Sequence, residues 1–306
     1  MLGRTMSHAQ LRRTAVWLLL PLALAGCRAW PWRPGAVSPS VATCRDLSSQ
    51  GLAAIEHGEW TQAERCLSGA VAASPVDVEA RRHYAETLLK RGAAAEALVQ
   101  LDEAMRLADR DASLAVRSGE IYLQMGQMEA AERRAQRALQ IDSTSADAWA
   151  LRGRIMAARG ETRRALADLQ RALGYRNDDR RLLYEIAQMY RQVDRPDRAL
   201  VCLQTLAETY AAGEEPRELL VEQAQTLSAV ARHADAASMY EQALRRGAPT
   251  PELQFSLAQC YIAAGQARKA TTAAQAGLTL APDDPRGREL LARLAGRINE
   301  GGPLRR

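Results

Sequence analysis

A spacing of 34 residues runs through most of this sequence and limits its fold more than any other feature. Alanines stand at Ala63, Ala97, Ala131, Ala165 and Ala199, each 34 residues after the last; Ala236 follows after 37, and Ala270 after 34 again. Five residues before them lie Gly58, Gly92, Gly126 and Gly160, then Asp194, Ala231 and Gly265. Glycine makes up about 7% of an average protein, so four in succession at one phase is not an accident of composition.

Other positions keep the same phase. Leu67, Leu101, Ala135, Leu169, Leu203, Tyr240 and Ala274 stand four residues after the alanines, one turn along the same helix face. Seven after them come Ala70, Ala104, Ala138, Ala172, Leu206, Ala243 and Gly277, mostly small, as close helix approach requires. Twelve before them are Gly51, Ala85, Gly119, Gly153, Ala187, Ala224 and Ala258, all small. A period of this length means paired helices stacked unit upon unit, because one pair cannot bury its apolar face alone. Asp77, Asp111, Ser145, Asp179, Thr250 and Asp284 precede the new first helices and suit the N-cap position, where a side chain accepts from free backbone N–H groups. The phase breaks once, at three extra residues near "AAGEEPRE". Either Gly213 ends a lengthened helix and Pro216 starts the next, letting units 1 to 5 and 6 to 7 differ in tilt, or the insertion is a longer turn.

Composition agrees with helix. Of 306 residues 47% are hydrophobic, yet only one is Phe, and the small or unbranched apolar residues Ala and Leu dominate. The formal charge of +5 looks basic, but Arg4, Arg12 and Arg13 lie before residue 27; without them 38 Lys and Arg face 36 Asp and Glu. So balanced a body has little general attraction for phosphate, and no nucleic-acid partner is expected.

The pattern resembles the tetratricopeptide repeat. In the fourth unit Trp149, Gly153, Ala165, Leu169 and Ala172 carry the family motif, Arg152 and Met156 depart from it, and Pro75 and Pro282 match its closing proline. The resemblance implies an all-α, right-handed superhelical solenoid of about seven helix-turn-helix repeats, at 44–77, 78–111, 112–145, 146–179, 180–213, 217–250 and 251–284. Residues 285–306 supply a capping helix and tail, with Leu290, Leu291 and Leu294 on one face.

In the family, the first helix of each unit lines a concave groove that takes protein or peptide partners. Carried onto this chain, the groove positions are Arg82, His83, Glu86 and Lys90 in the second unit, Arg117, Glu120 and Gln124 in the third, and Arg154 in the fourth. The fifth unit supplies Arg181, Tyr184, Gln188 and Arg191, the seventh Phe255, Gln259 and Ile262. The carboxylate clamp of chaperone-binding members is not expected, since Ser48, Leu52, His83 and Ser113 occupy four of its five positions and only Arg117 fits. Arginines crowd between Arg152 and Arg181, as in a site for an acidic protein or anionic polymer, or in a sequence that uses arginine for every surface cation.

The first residues read as an export signal. Positions 1–14 carry only positive charge, Ala15 to Ala25 are apolar apart from Pro21, and Leu24-Ala25-Gly26-Cys27 resembles the lipobox of bacterial lipoproteins. That resemblance implies cleavage before Cys27, lipid on its sulfur, and membrane attachment, on the outer membrane if the cell has one. Each buried methylene contributes about 0.8 kcal/mol, so several acyl chains anchor stably. Ala23-Leu24-Ala25 also fits ordinary cleavage, which would release a soluble protein. Residues 27–43, with Pro31, Pro34 and Pro39, read as an extended spacer between membrane and body.

No chemistry is legible. His57, His83 and His233 fall in different repeats with no metal-ligand spacing, and no phosphate loop or nucleophile motif occurs. No enzyme activity, cofactor or metal is therefore expected. Cys44 and Cys66 share one hairpin, where either a disulfide or two buried thiols would fit. The function that follows is a tethered adaptor organising proteins at a bacterial envelope, with an accessory subunit of an envelope enzyme or secretion complex as the alternative.

Overall fold

Capping side chains decide where the helices start. The Asp77 carboxylate accepts from Ala80 N at 2.9 Å, Asp111 from Ser113 N at 2.9 Å, and Asp179 from Arg181 N at 3.0 Å. The Ser145 and Thr250 hydroxyls accept from Ala148 N at 3.3 Å and Leu253 N at 3.4 Å. Helices begin immediately after these residues.

The computed structural model describes residues 38–299, which form fifteen α-helices and no strand. They pair in chain order: α1 (Pro39–Glu56) with α2 (Trp60–Ala73), α3 (Val78–Lys90) with α4 (Ala94–Leu107), α5 (Ala112–Gln124) with α6 (Met128–Ile141), and α7 (Ala146–Ala158) with α8 (Thr162–Tyr175). Then come α9 (Arg180–Gln192) with α10 (Pro196–Glu208), α11 (Arg217–Ala229) with α12 (His233–Arg245), α13 (Pro251–Ala263) with α14 (Ala267–Leu280), and α15 (Pro285–Asn299). Each pair packs on the next, and the stack is superhelical.

The repeated alanines sit at the closest approach of helices: Ala63, Ala97, Ala131, Ala165, Ala199, Ala236 and Ala270 are all fully buried. Their small partners face the following helix. A Cβ on Gly153 would lie 2.8 Å from Leu169 Cγ, and one on Gly119 would lie 2.5 Å from Leu151 Cδ2. Turns inside the pairs require a left-handed residue, and glycine supplies it in five units; Asp194 and Ala231 adopt it at φ 55° and 59° in units five and six. An L side chain there costs roughly 1–2 kcal/mol. At the far end α15 buries Leu290 and Leu294 against α13 and α14, with Leu291 partly buried beside them.

One expectation changes, and two open alternatives are decided. The spacer does not extend to residue 43: α1 starts at Pro39, with the Ser38 hydroxyl accepting from Val41 N at 3.4 Å. A proline read as a breaker is tolerated at the first helical position, where no intrahelical N–H is needed. The insertion is a turn, since α10 ends at Glu208 and residues 209–216 bridge to α11. Cys44 and Cys66 are free, buried thiols. Burial and the Asp77 carboxylate both push the Cys44 thiol up, which keeps it protonated and unreactive. The candidate lipidation site, Cys27, lies outside the described residues.

Candidate partner-binding groove

Charged side chains on the first helices reach from one unit to the next. Arg117 on α5 grips Glu86 on α3 with Nε and Nη2, each at 2.6 Å, and its Nη1 reaches Glu120 at 3.0 Å. Arg154 on α7 lies 3.7 Å from Glu120 and 2.9 Å from Glu185 on α9, and Arg181 approaches Glu185 at 2.9 Å. Farther on, Arg191 pairs with Glu222 on α11 and bonds Gln225 at 3.1 Å, while the Tyr184 hydroxyl donates to Glu222 at 3.4 Å. Arg82 closes the near end on Asp111 and Ser113, each at 2.9 Å.

This ladder brings together Arg82, Glu86, Arg117, Glu120, Arg154, Arg181, Tyr184 and Arg191. Lys90 and Gln124 are exposed toward the ends of α3 and α5, and His83 and Gln188 are half-buried on α3 and α9. Of the three residues expected in the seventh unit only Gln259 is exposed, and Ile262 is half-buried against the C-terminal core. Phe255 is corrected: at 2% exposure it is core, its ring filling the space that Gly277 and Gly287 leave open. The family register places it on the groove helix, but two glycines on α14 and α15 draw the ring inward.

Glu185, Glu222 and Gln225 complete the ladder and were not singled out from sequence, and Asp111, expected only as an N-cap, joins them. A signal existed, because Glu86 and Arg117, Arg154 and Glu185, and Arg191 and Glu222 are each separated by 31 residues. Across a 34-residue step that offset joins neighbouring units one helical turn out of phase, and across the 37-residue step from unit five to unit six, where Arg191 meets Glu222, nearly two turns.

Beside the ladder, between units two and four, opens a cavity of 870 Å³ whose walls include Arg82, Glu86, Arg117, Glu120, Asp109 and Asp147. Its lining is acidic, with Glu86, Asp109, Asp111, Glu120, Asp142 and Asp147 against Arg82, Arg110 and Arg117. Burial raises the Asp111 carboxyl, but hydrogen bonds from Ser113 and the Arg82 charge outweigh it and hold the group below its usual range. Partly exposed ion pairs contribute about 0–1 kcal/mol each, so the ladder fixes geometry more than stability.

The arginine-rich stretch does not form an open anion site. Arg152 is bidentate on Asp168 at 2.7 Å, Arg159 meets Glu132 at 2.7 Å, and Arg176 meets Asp147 at 2.8 Å. Arg152 and Arg171 each lie 4.3 Å from the centroid of the Trp149 ring. Among the described residues no group of three or more His, Cys, Asp or Glu side chains could hold a metal, and no helix is long and apolar enough to cross a membrane. The arrangement offers hydrogen bonds and shape to a partner.

Two family models, each described as a tetratricopeptide repeat, match residues 88–155 and 229–294, and residues 49–113. The C-terminal part of a TPR repeat-containing protein from Cytophaga hutchinsonii is similar in structure, at TM-score 0.64 and 16% identity over 81% of this chain and 99% of that one. The pilF protein of Pseudomonas aeruginosa gives TM-score 0.55 and 16% identity over 71% and 97%. YrrB, described as a TPR protein with an unusual peptide-binding site, gives TM-score 0.55 and 17% identity over 62% and 96%. No protein of curated function matches by sequence. Repeat phase, helix pairing and family models agree: the chain belongs to the tetratricopeptide repeat family.

Proposed function

We propose that this protein is a non-catalytic adaptor, anchored by lipid on Cys27 to a bacterial envelope membrane, that holds a segment of a partner protein against its first helices. The observation that carries the reading is the 870 Å³ cavity beside a ladder of side chains contributed by successive units. A surface assembled from several repeats, with donors and acceptors fixed by their neighbours, is preorganised for a polypeptide. The peptide-binding site in the description of YrrB supports a groove of this kind. Leu24-Ala25-Gly26-Cys27 after an apolar run supports the anchor, and Arg28 in place of Asp favours an outer-membrane address.

Fractionation tests the anchor. Cys27→Ala should leave helicity and melting unchanged while moving the protein out of the membrane fraction, and intact mass of the mature chain should carry acyl groups on Cys27. A mature chain without lipid sinks the anchor. Crosslinking in intact cells tests the adaptor role: one stoichiometric partner or a defined set supports it, whereas turnover of cell-wall fragments by the purified protein would replace it with catalysis.

A further inference from the structure

Three independent features coincide between the fifth and sixth units. Eight residues separate α10 from α11, where four or five separate every other pair of consecutive units. α11 is capped by Pro216 with no side-chain hydrogen bond, whereas Ser38, Asp77, Asp111, Ser145, Asp179 and Thr250 cap the other first helices of the seven units. The left-handed residues that are not glycine, Asp194 and Ala231, fall in these two units.

Apolar contacts of Leu203 and Leu206 with Leu219 cross this place, and polar contacts accompany them. Gln223, 6% exposed, donates to Leu203 O at 3.0 Å across the α10–α11 boundary. Arg191 on α9 meets Glu222 on α11, while Arg180 and Arg246 hold the two ends of the turn, at Thr209 Oγ1 (2.8 Å) and Glu215 (2.6 Å). Hydrogen bonds and exposed ion pairs re-form with water at little net cost, whereas apolar packing does not. A missing cap, a longer turn and two strained turns lower the free energy of opening locally without lowering it elsewhere.

We infer that the array is jointed between units five and six: α11 and the turn before it open as a sub-global unit, and the groove consists of a five-unit arm and an arm of two units plus α15. The Arg191–Glu222 pair and Tyr184 form the clasp across the joint on the groove side. The inference is independent of any lipid anchor or partner.

Native-state hydrogen–deuterium exchange of the full mature chain, read by peptide mass spectrometry, tests it. The interior amides of α11 should exchange at least tenfold faster than those of α7 and α13, since the ends of helices are excluded from the comparison. Ala231→Gly should slow α11 and α12 about three- to fivefold, Asp194→Gly less because Asp tolerates the left-handed region, and α7 should not change. Pro216→Asp, which restores a capping carboxylate, should slow α11 similarly. Equal protection of α7, α11 and α13, or variants that slow every helix by the same factor, would overturn the joint.

Discussion

Arg152 stands where the family motif carries leucine, and restoring that leucine should harm this protein. Its Nε and Nη2 hold both oxygens of Asp168 at 2.7 Å, and Asp168 is 8% exposed. Removing one partner of a buried pair costs roughly 3–5 kcal/mol, because the remaining charge is left without compensation. Two terms adjust this figure for Arg152→Leu. The guanidinium over Trp149, 4.3 Å from the ring centroid, contributes about 0.5–1 kcal/mol more, while the new leucine regains roughly 1–2 kcal/mol of apolar burial. A net loss of about 2–3 kcal/mol follows. Asp168→Ala should cost only about 1 kcal/mol, since the Arg152 side chain is 30% exposed and water can take the place of the carboxylate. The double variant should lie within about 1 kcal/mol of the parent, a coupling of roughly 2 kcal/mol. Urea unfolding followed by far-UV circular dichroism measures all four proteins. The reasoning is refuted if Arg152→Leu alone is as stable as the parent, or if the two single losses simply add.

Gly153→Val should destabilise by about 1–3 kcal/mol in the same assay, because its Cβ would meet Leu169 Cγ at 2.8 Å and Ala165 O at 3.2 Å; unchanged stability would mean that α7 and α8 are not in close contact. Stability should also fall in acid. Hydrogen bonds from Arg286 and Arg246 hold Asp284 and Glu215 below the usual carboxylate range, and at Asp179 the Leu182 N–H and Arg176 outweigh a raising effect of burial. Carboxylates with depressed folded values stabilise above about pH 4, where the unfolded chain is ionised, and lose that contribution as pH drops through the folded values. Thermal melts should therefore be flat from pH 7 to about pH 5 and decline below pH 4; a melting temperature constant down to pH 3 would contradict the cap and ion-pair assignments.

Periodicity was the legible part of this molecule. Ala131, Ala165 and their equivalents are fully buried because a repeat stack allows nothing larger at each helix crossing, so one constraint is written seven times. Single events are written once and were harder to read. Pro39 starts a helix because Ser38 happens to cap it, and Phe255 turns inward because Gly277 and Gly287 leave room for its ring. The ladder was half legible. Arg117, Arg154 and Arg191 were on the correct face, as was Glu86, but Glu185 and Glu222 come from the neighbouring unit, 31 residues from their partners, and a motif written within one repeat does not show such pairs. The arginine-rich stretch left an anion site and ordinary surface cations both open, and the second fits, since Arg159 and Arg176 find acids contributed by other helices.

Site-specific photocrosslinking in intact cells tests the central claim most directly. A crosslinking amino acid placed at Lys90, Gln124 or Gln188 on the first helices should capture the same discrete protein from each position. At Val99 and Val201, which are 58% and 61% exposed on the second helices α4 and α10, it should capture none. Capture from Val99 and Val201 but not from the first-helix positions would place the partner on the opposite face and contradict the account.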